Sequence, residues 1–220
     1  MEKLVIESCD SALNVIESDE PGVLSQIYKP EINIVIWRRK LSPALILEVQ
    51  NLLFYEKFEG SRTTIEICNS HSYLEEIICG KSNSSLLRND IAQLIEMYGY
   101  LFDLKTTGIR IKSLSEAMCP RFHVDRVPCR LVSTYHGPAT EWLYNDCVDR
   151  SKLGHGNQGL PDDKSGLISN NNCIQRLESG DVALLKGELW PDNEGLGLVH
   201  RSPNASDENK RLLLSLDVMN

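Results

Sequence analysis

The chain has no surplus of positive charge: 23 Lys and Arg stand against 31 Asp and Glu, a net of −8 over 220 residues. That deficit argues against non-specific nucleic-acid binding and against docking on an anionic membrane, because both need an excess of Lys and Arg. No apolar run approaches the roughly 20 residues that cross a bilayer. The opening MEKLVIESCDSALNVIESDE places acids where a secretory leader needs a basic flank and an apolar stretch. Export is therefore not expected, and the expected compartment is the cytoplasm. Seven cysteines at irregular spacing make no disulfide framework, so reduced thiols are expected. The sequence also lacks a P-loop, a dinucleotide fingerprint and HExxH, and neither Ser133 nor Ser215 sits in GxSxG. Phosphate cradling and serine hydrolysis lose their motifs.

What is present divides near residue 105. Before it, helix and strand mix. Residues 32–37 (INIVIW) are β-branched and suit a buried strand. Ser42-Pro43 then opens a helix, serine as N-cap and proline at the first helical position, with Leu45, Leu47, Val49, Leu52 and Leu53 as its apolar faces. Leu87, Ile91, Leu94, Tyr98 and Leu101 recur at three- and four-residue steps, which predicts a helix over about 84–103. Two such helices would cover one face of a sheet.

Beyond 105 the period becomes two. Residues 107–114, 129–135, 182–185 and 211–217 alternate as short strands between Gly, Pro and Asn turns, the pattern of an antiparallel sandwich or barrel. Arg211 and Ser215 fall on one face of the last strand, and Leu212, Leu214 and Leu216 on the other. The polar stretch 145–179 is expected as a long loop at the barrel mouth.

His123-Val124-Asp125 falls where a strand is expected, and residues two apart on a strand point the same way. An imidazole and a carboxylate side by side offer nitrogen and oxygen to a divalent metal. A second histidine would complete a two-His, one-carboxylate face with open positions, as in non-haem Fe(II) oxygenases. Chance alone supplies roughly 0.3 His-x-Asp matches in a chain of this make-up. A histidine beside a solvated aspartate is the bland alternative. Cys119, Cys129 and Cys147 surround the motif, but their spacing fits no zinc finger and free buried thiols are expected, as for Cys68 and Cys79. His136 and His155 are expected in exposed loops.

The downstream elements, Gly180-Asp181 before an apolar strand, His200 in LVHRSPNAS, and Arg211, follow His123-x-Asp125 in a fixed order. In this the chain resembles the Fe(II)- and 2-oxoglutarate-dependent dioxygenase superfamily, HRSPNAS with Arg211 looking most like its phytanoyl-CoA-hydroxylase-type members. Many relatives place a serine two residues after the arginine; here that position is Leu213, and the serine comes at 215. Over its whole length, through IWRRKLSPAL, RFHVDRVPCRLVSTYHGPATEWL, GDVALLKGE and VHRSPN, the chain resembles an uncharacterised bacterial domain-of-unknown-function family.

The resemblance implies an α+β protein: a double-stranded β-helix (jelly roll, cupin-like) over 107–220, with an N-terminal helix-and-strand segment, 1–106, packed on it. It implies His123, Asp125 and His200 as ligands of Fe(II), and Arg211 as the clamp on 2-oxoglutarate, since a guanidinium fork matches a carboxylate. Tyr135 and Ser215 are expected beside that co-substrate, and Glu141 and Trp142 along the pocket of an unknown small-molecule substrate that is hydroxylated. No nucleic-acid or membrane partner is expected. The alternative is a non-catalytic protein holding zinc through the same triad and linked to metal homeostasis.

Overall fold

The computed structural model describes residues 14–78 and 84–219. Cys79 and the first 13 residues, on which the leader argument partly rests, lie outside them.

Among the described residues, ten strands form two sheets. In the larger, β1 (Val15–Ser18), β2 (Ile34–Trp37), β3 (Gly60–Glu66), β4 (Thr106–Leu114), β5 (Cys129–His136), β8 (Val182–Lys186) and β10 (Arg211–Val218) lie in the order β1-β2-β8-β5-β10-β4-β3. Only β1 and β2 pair in parallel. The smaller sheet is β7 (Ile174–Arg176), β6 (Glu141–Leu143) and β9 (His200–Arg201), in the order β7-β6-β9. Three strands from before residue 105 thus share one hydrogen-bonded sheet with four from after it.

Helices α1 (Pro43–Phe54), α2 (Ser70–Ile77) and α3 (Ser85–Leu101) cover one face of the large sheet. The Ser42 hydroxyl accepts from the Leu45 amide at 3.2 Å with Pro43 behind it, the expected start of α1. Leu45, Val49, Leu52 and Leu53 are buried, whereas Leu47 is exposed. Against these helices pack Ile109, Ile111, Leu131, Tyr135, Val182, Leu184, Leu212, Leu214 and Leu216, the alternate residues of the central strands.

The opposite face of the large sheet meets the small one. Ile34, Ile36, Val132, Ala183 and Leu185 pack with Trp142, Leu177 and Leu198 into a second core. This apolar filling stops at β5. Along β10, β4 and β3 the same face carries Arg211, Ser215, Asp217, Arg110 and Arg62, so the space between the sheets is dry at one end and polar at the other. Gly180 turns the chain into β8 at φ +101°, and a Cβ there would lie 2.8 Å from the Arg39 carbonyl.

Three expectations need correction. Residues 145–179 are not a plain loop: they hold short 3-10 turns, β7 and a bridge between Val148 and Ile168. They close over a small core of Phe122, Leu143, Leu167 and Val199, so sparse apolar residues suffice where four converge. His123 makes only an isolated bridge, to His200, and Asp125 lies in the following loop rather than on a strand. The thiols are not uniformly buried and free. Cys147 and Cys173 form a disulfide, Cys68 and Cys119 are exposed, and Cys129 is buried.

Among the described residues, no helix is long and apolar enough to cross a membrane.

Candidate metal centre

Backbone pairing builds the site. His123 and His200 exchange amide–carbonyl bonds of 3.0 Å in both directions, which sets their rings 4.6 Å apart between centroids. Each ring is fixed by its Nδ1: that of His123 lies 2.9 Å from the Arg121 carbonyl and that of His200 3.1 Å from the Leu198 carbonyl. A carbonyl only accepts, so Nδ1 carries the proton in both and the neutral ring presents a lone pair at Nε2. Both Nε2 atoms face Asp125, at 3.6 Å from Oδ1 for His123 and 3.2 Å from Oδ2 for His200. Three donor atoms, one per residue, therefore lie within 4.8 Å of one another. Two imidazoles held through backbone carbonyls plus one carboxylate fit a divalent cation, and leave part of its coordination sphere open.

Asp125 has a further partner. Arg130, on β5, donates from Nη1 to Asp125 Oδ2 at 2.5 Å and holds Asp217 with Nε and Nη2 at 2.6 and 2.9 Å. Burial alone would raise the Asp125 carboxyl, but the facing imidazoles of His123 and His200, when protonated, and the Arg130 guanidinium hold it far below the usual carboxylate range. For His123 burial acts downward, and the bonds to Asp125 and the Arg121 carbonyl leave it above its ordinary value.

Arg211 lines the same cavity as the triad and is 1% exposed. No carboxylate pairs with it among the described residues. Its guanidinium donates instead to hydroxyls: Ser202 at 2.9 Å, Thr140 at 2.8 Å, and Thr134 at 3.1 and 3.3 Å. Burial draws its pKa down to about 10. A buried cation without a counter-ion is costly, and an anion entering the cavity would relieve that cost. Ser215 lines the cavity too, and its buried Oγ has no hydrogen-bond partner. The Arg211 bonds to hydroxyls engage four of the five guanidinium N–H groups, which leaves one on Nη1 for a carboxylate-bearing ligand in the cavity, with the Ser215 hydroxyl as a further donor on its wall.

The remaining candidates lie elsewhere. Tyr135 is not brought to the site. It sits on the helix-facing side of β5, its hydroxyl 2.5 Å from Asp90 and its ring in the main core. Trp142 pairs in register with His200 but fills the inter-sheet core, its ring against Tyr144. Glu141 lies between Arg176 and Arg201, 2.7 Å from each, in a neighbouring cleft of about 720 Å³. His136 ends β5 with Nδ1 on the Lys210 carbonyl, and His155 is exposed in a turn. No cysteine joins the three-donor cluster among the described residues, so a mixed Cys/His zinc site is not formed.

Sequence reasoning missed the tie of Arg130 to Asp125 and the hydroxyl cage of Thr134, Thr140 and Ser202. Strand parity held a signal: Arg130 and Thr134 share the face of β5 that looks toward the small sheet, whereas Tyr135, five residues from Arg130, cannot.

Several solved structures are similar to this one. A Pseudomonas putida prolyl-4-hydroxylase is 12% identical with a TM-score of 0.44, over 90% of this chain and 98% of that one. JOX2, in complex with 2OG, Fe and JA, is 9% identical with a TM-score of 0.48, over 93% and 74%. HygX from Streptomyces hygroscopicus, with nickel and 2-oxoglutarate bound, is 11% identical with a TM-score of 0.40, over 84% and 81%. Values this low say nothing by themselves of what this chain binds. No curated protein matches the chain. The model of the family described as "Protein of unknown function (DUF1826)" matches residues 18–217, and the chain belongs to that family.

Proposed function

We propose that this protein is an Fe(II)- and 2-oxoglutarate-dependent oxygenase on a double-stranded β-helix, hydroxylating a small-molecule substrate. One observation carries the reading: a His123–Asp125–His200 donor set shares its cavity with a buried, acid-free Arg211. The donor set alone would serve many metals. The arginine adds a demand for an anion beside the metal.

His123, Asp125 and His200 would hold the iron through two neutral imidazoles and an ionised carboxylate. When bound, iron and 2-oxoglutarate supply the oxidising chemistry, in which dioxygen is consumed, succinate and carbon dioxide are released, and a substrate C–H bond becomes C–OH. The chain's own residues bind and orient. Arg211 grips a carboxylate of the co-substrate, Ser215 donates to it, and Thr134, Thr140 and Ser202 hold the guanidinium plane. Arg130 fixes the carboxylate of Asp125. The inter-sheet core on one side of the cavity excludes water. The net charge of −8 supports the expectation of no nucleic-acid or membrane partner. A zinc-holding protein would use the same three ligands but gives Arg211 no role.

The test is succinate release from 2-oxoglutarate by the Fe(II)-loaded protein with candidate substrates. Succinate from wild type and none from His123→Ala supports the oxygenase; equal rates in the two overturn it.

A further inference from the structure

We propose that the primary substrate carries an oxyanion group, phosphate or carboxylate, that docks on Arg62 and Arg110 in a cleft continuous with the metal cavity. As a statement about a substrate, it rests on the oxygenase reading; as a statement about a binding site, it stands on the cleft itself.

The cleft, about 480 Å³, runs along the inner face of β3 and β4 and is lined by Arg62, Arg110 and Lys112. That volume is within the range of roughly 300–1,000 Å³ typical of small-ligand sites. Arg110, Met118 and Cys119 line both this cleft and the cavity of the triad, so the two spaces join.

The charge placement is unfavourable without a ligand. Arg62 and Arg110 are direct cross-strand partners, and like charges so placed destabilise a sheet. In the next register row on the same face, β4 adds Lys112. Among the described residues, no carboxylate comes within ion-pair distance of these three, although the chain has an excess of acids. Six of the other ten arginines, Arg38, Arg39, Arg121, Arg130, Arg176 and Arg201, have such a partner among the described residues. Among the described residues, the only polar contact of Arg110 at hydrogen-bond distance is the Met118 sulfur, at 3.4 Å. Burial and then the neighbouring charges of Arg62 and Arg130 lower its pKa, as expected where cations gather. Two acids face the cleft region: Glu59 is exposed at its rim, and Asp217 is already held by two nitrogens of Arg130.

Charges on an edge strand commonly guard against aggregation, which would account for Arg62 alone. It does not account for Arg110, which is on the second strand, half-buried and on the cavity wall. The same register row continues from Arg110 to Ser215, whose buried hydroxyl is unpartnered. A row of guanidinium, guanidinium and free hydroxyl leading inward from the sheet edge is a track for an anionic ligand.

The experiment titrates phenyl phosphate and benzoate into the full-length protein at low salt, with 2-oxoglutarate present to occupy Arg211, and compares wild type with Arg62→Gln/Arg110→Gln. Fe(II) binding is measured separately. Wild type is expected to bind at least one compound, and the double variant about tenfold or more weakly. Tighter phenyl phosphate assigns a phosphate ester; tighter benzoate assigns a carboxylate. The single variant Arg62→Gln should weaken binding while raising the melting temperature, because it removes a like-charge neighbour; a purely structural arginine would lower it. Equal binding by wild type and double variant, or no binding of either compound in the millimolar range, overturns the proposal. Failure to bind Fe(II) with phenyl phosphate binding intact strikes the oxygenase reading and leaves the cleft.

Discussion

Arg130 joins two carboxylates that are 92 residues apart in sequence, Asp125 at 2.5 Å and Asp217 at 2.6 Å. Asp217 shares the guanidinium from behind, so Arg130 orients the Asp125 carboxylate as well as favouring its charged form. The charge-conserving double variant Arg130→Gln/Asp217→Asn isolates that role. Metal affinity at neutral pH should fall about 10- to 100-fold, the usual cost of losing a partner that positions a ligand. Competition against a chelating dye reads it directly. Unchanged affinity would make Arg130 a strut of the sheet only.

Arg211 makes an opposite kind of prediction. Its pKa, drawn down by burial to about 10, lies below that of the free side chain, so the buried cation destabilises the unliganded fold at neutral pH, a cost that fades as pH rises through about 10. Arg211→Met should therefore leave the ligand-free protein within about 1 kcal/mol of wild type, although a fully buried side chain is changed. The stabilisation given by 2-oxoglutarate, about 2.7 kcal/mol at a hundred times the wild-type Kd, should fall to about 1.4 kcal/mol or less at the same concentration. Thermal melts with and without the keto acid check both halves.

Glu141 now reads as a structural anchor. Burial alone would raise its carboxyl, but Arg176 and Arg201 hold it below the ordinary 4.5. A carboxylate with a depressed folded value contributes stability above its unfolded pKa and loses it as pH falls through the folded one. Glu141→Gln should thus cost about 2 kcal/mol at pH 7, and the difference should close below about pH 4.5. A gap that does not narrow at all as pH falls below about 4.5 would show that packing, not charge, is the cause.

Much of this arrangement was legible because it depends on local pattern. Ser42-Pro43 marks a helix start wherever the chain goes next, and Leu212, Leu214 and Leu216 declare one buried face without knowing what covers it. The triad was reached through the order of His123, Asp125, His200 and Arg211 rather than through any single motif. The elements that escaped are those whose pattern tertiary contact overrides. In β3 only Ile65 is buried, so GSRTTIE carries no strand period; α2 is mostly polar; β7 and β9 are too short to show one. Asp125 lies beyond the single bridge that His123 makes with His200, and Arg130 holds it there. Asp217, 87 residues beyond Arg130, could not be matched to it without the sheet.

The central claim is that His123, Asp125, His200 and Arg211 form one site for iron and a keto acid. It is tested most directly by adding Fe(II) and then 2-oxoglutarate to the oxygen-free protein and recording the visible metal-to-ligand charge-transfer band. A band is expected in wild type, none in His200→Ala, and in Arg211→Met a band that needs at least about tenfold more 2-oxoglutarate. Absence of the band from iron-loaded wild type at saturating 2-oxoglutarate, or an equal band in His200→Ala, would contradict it.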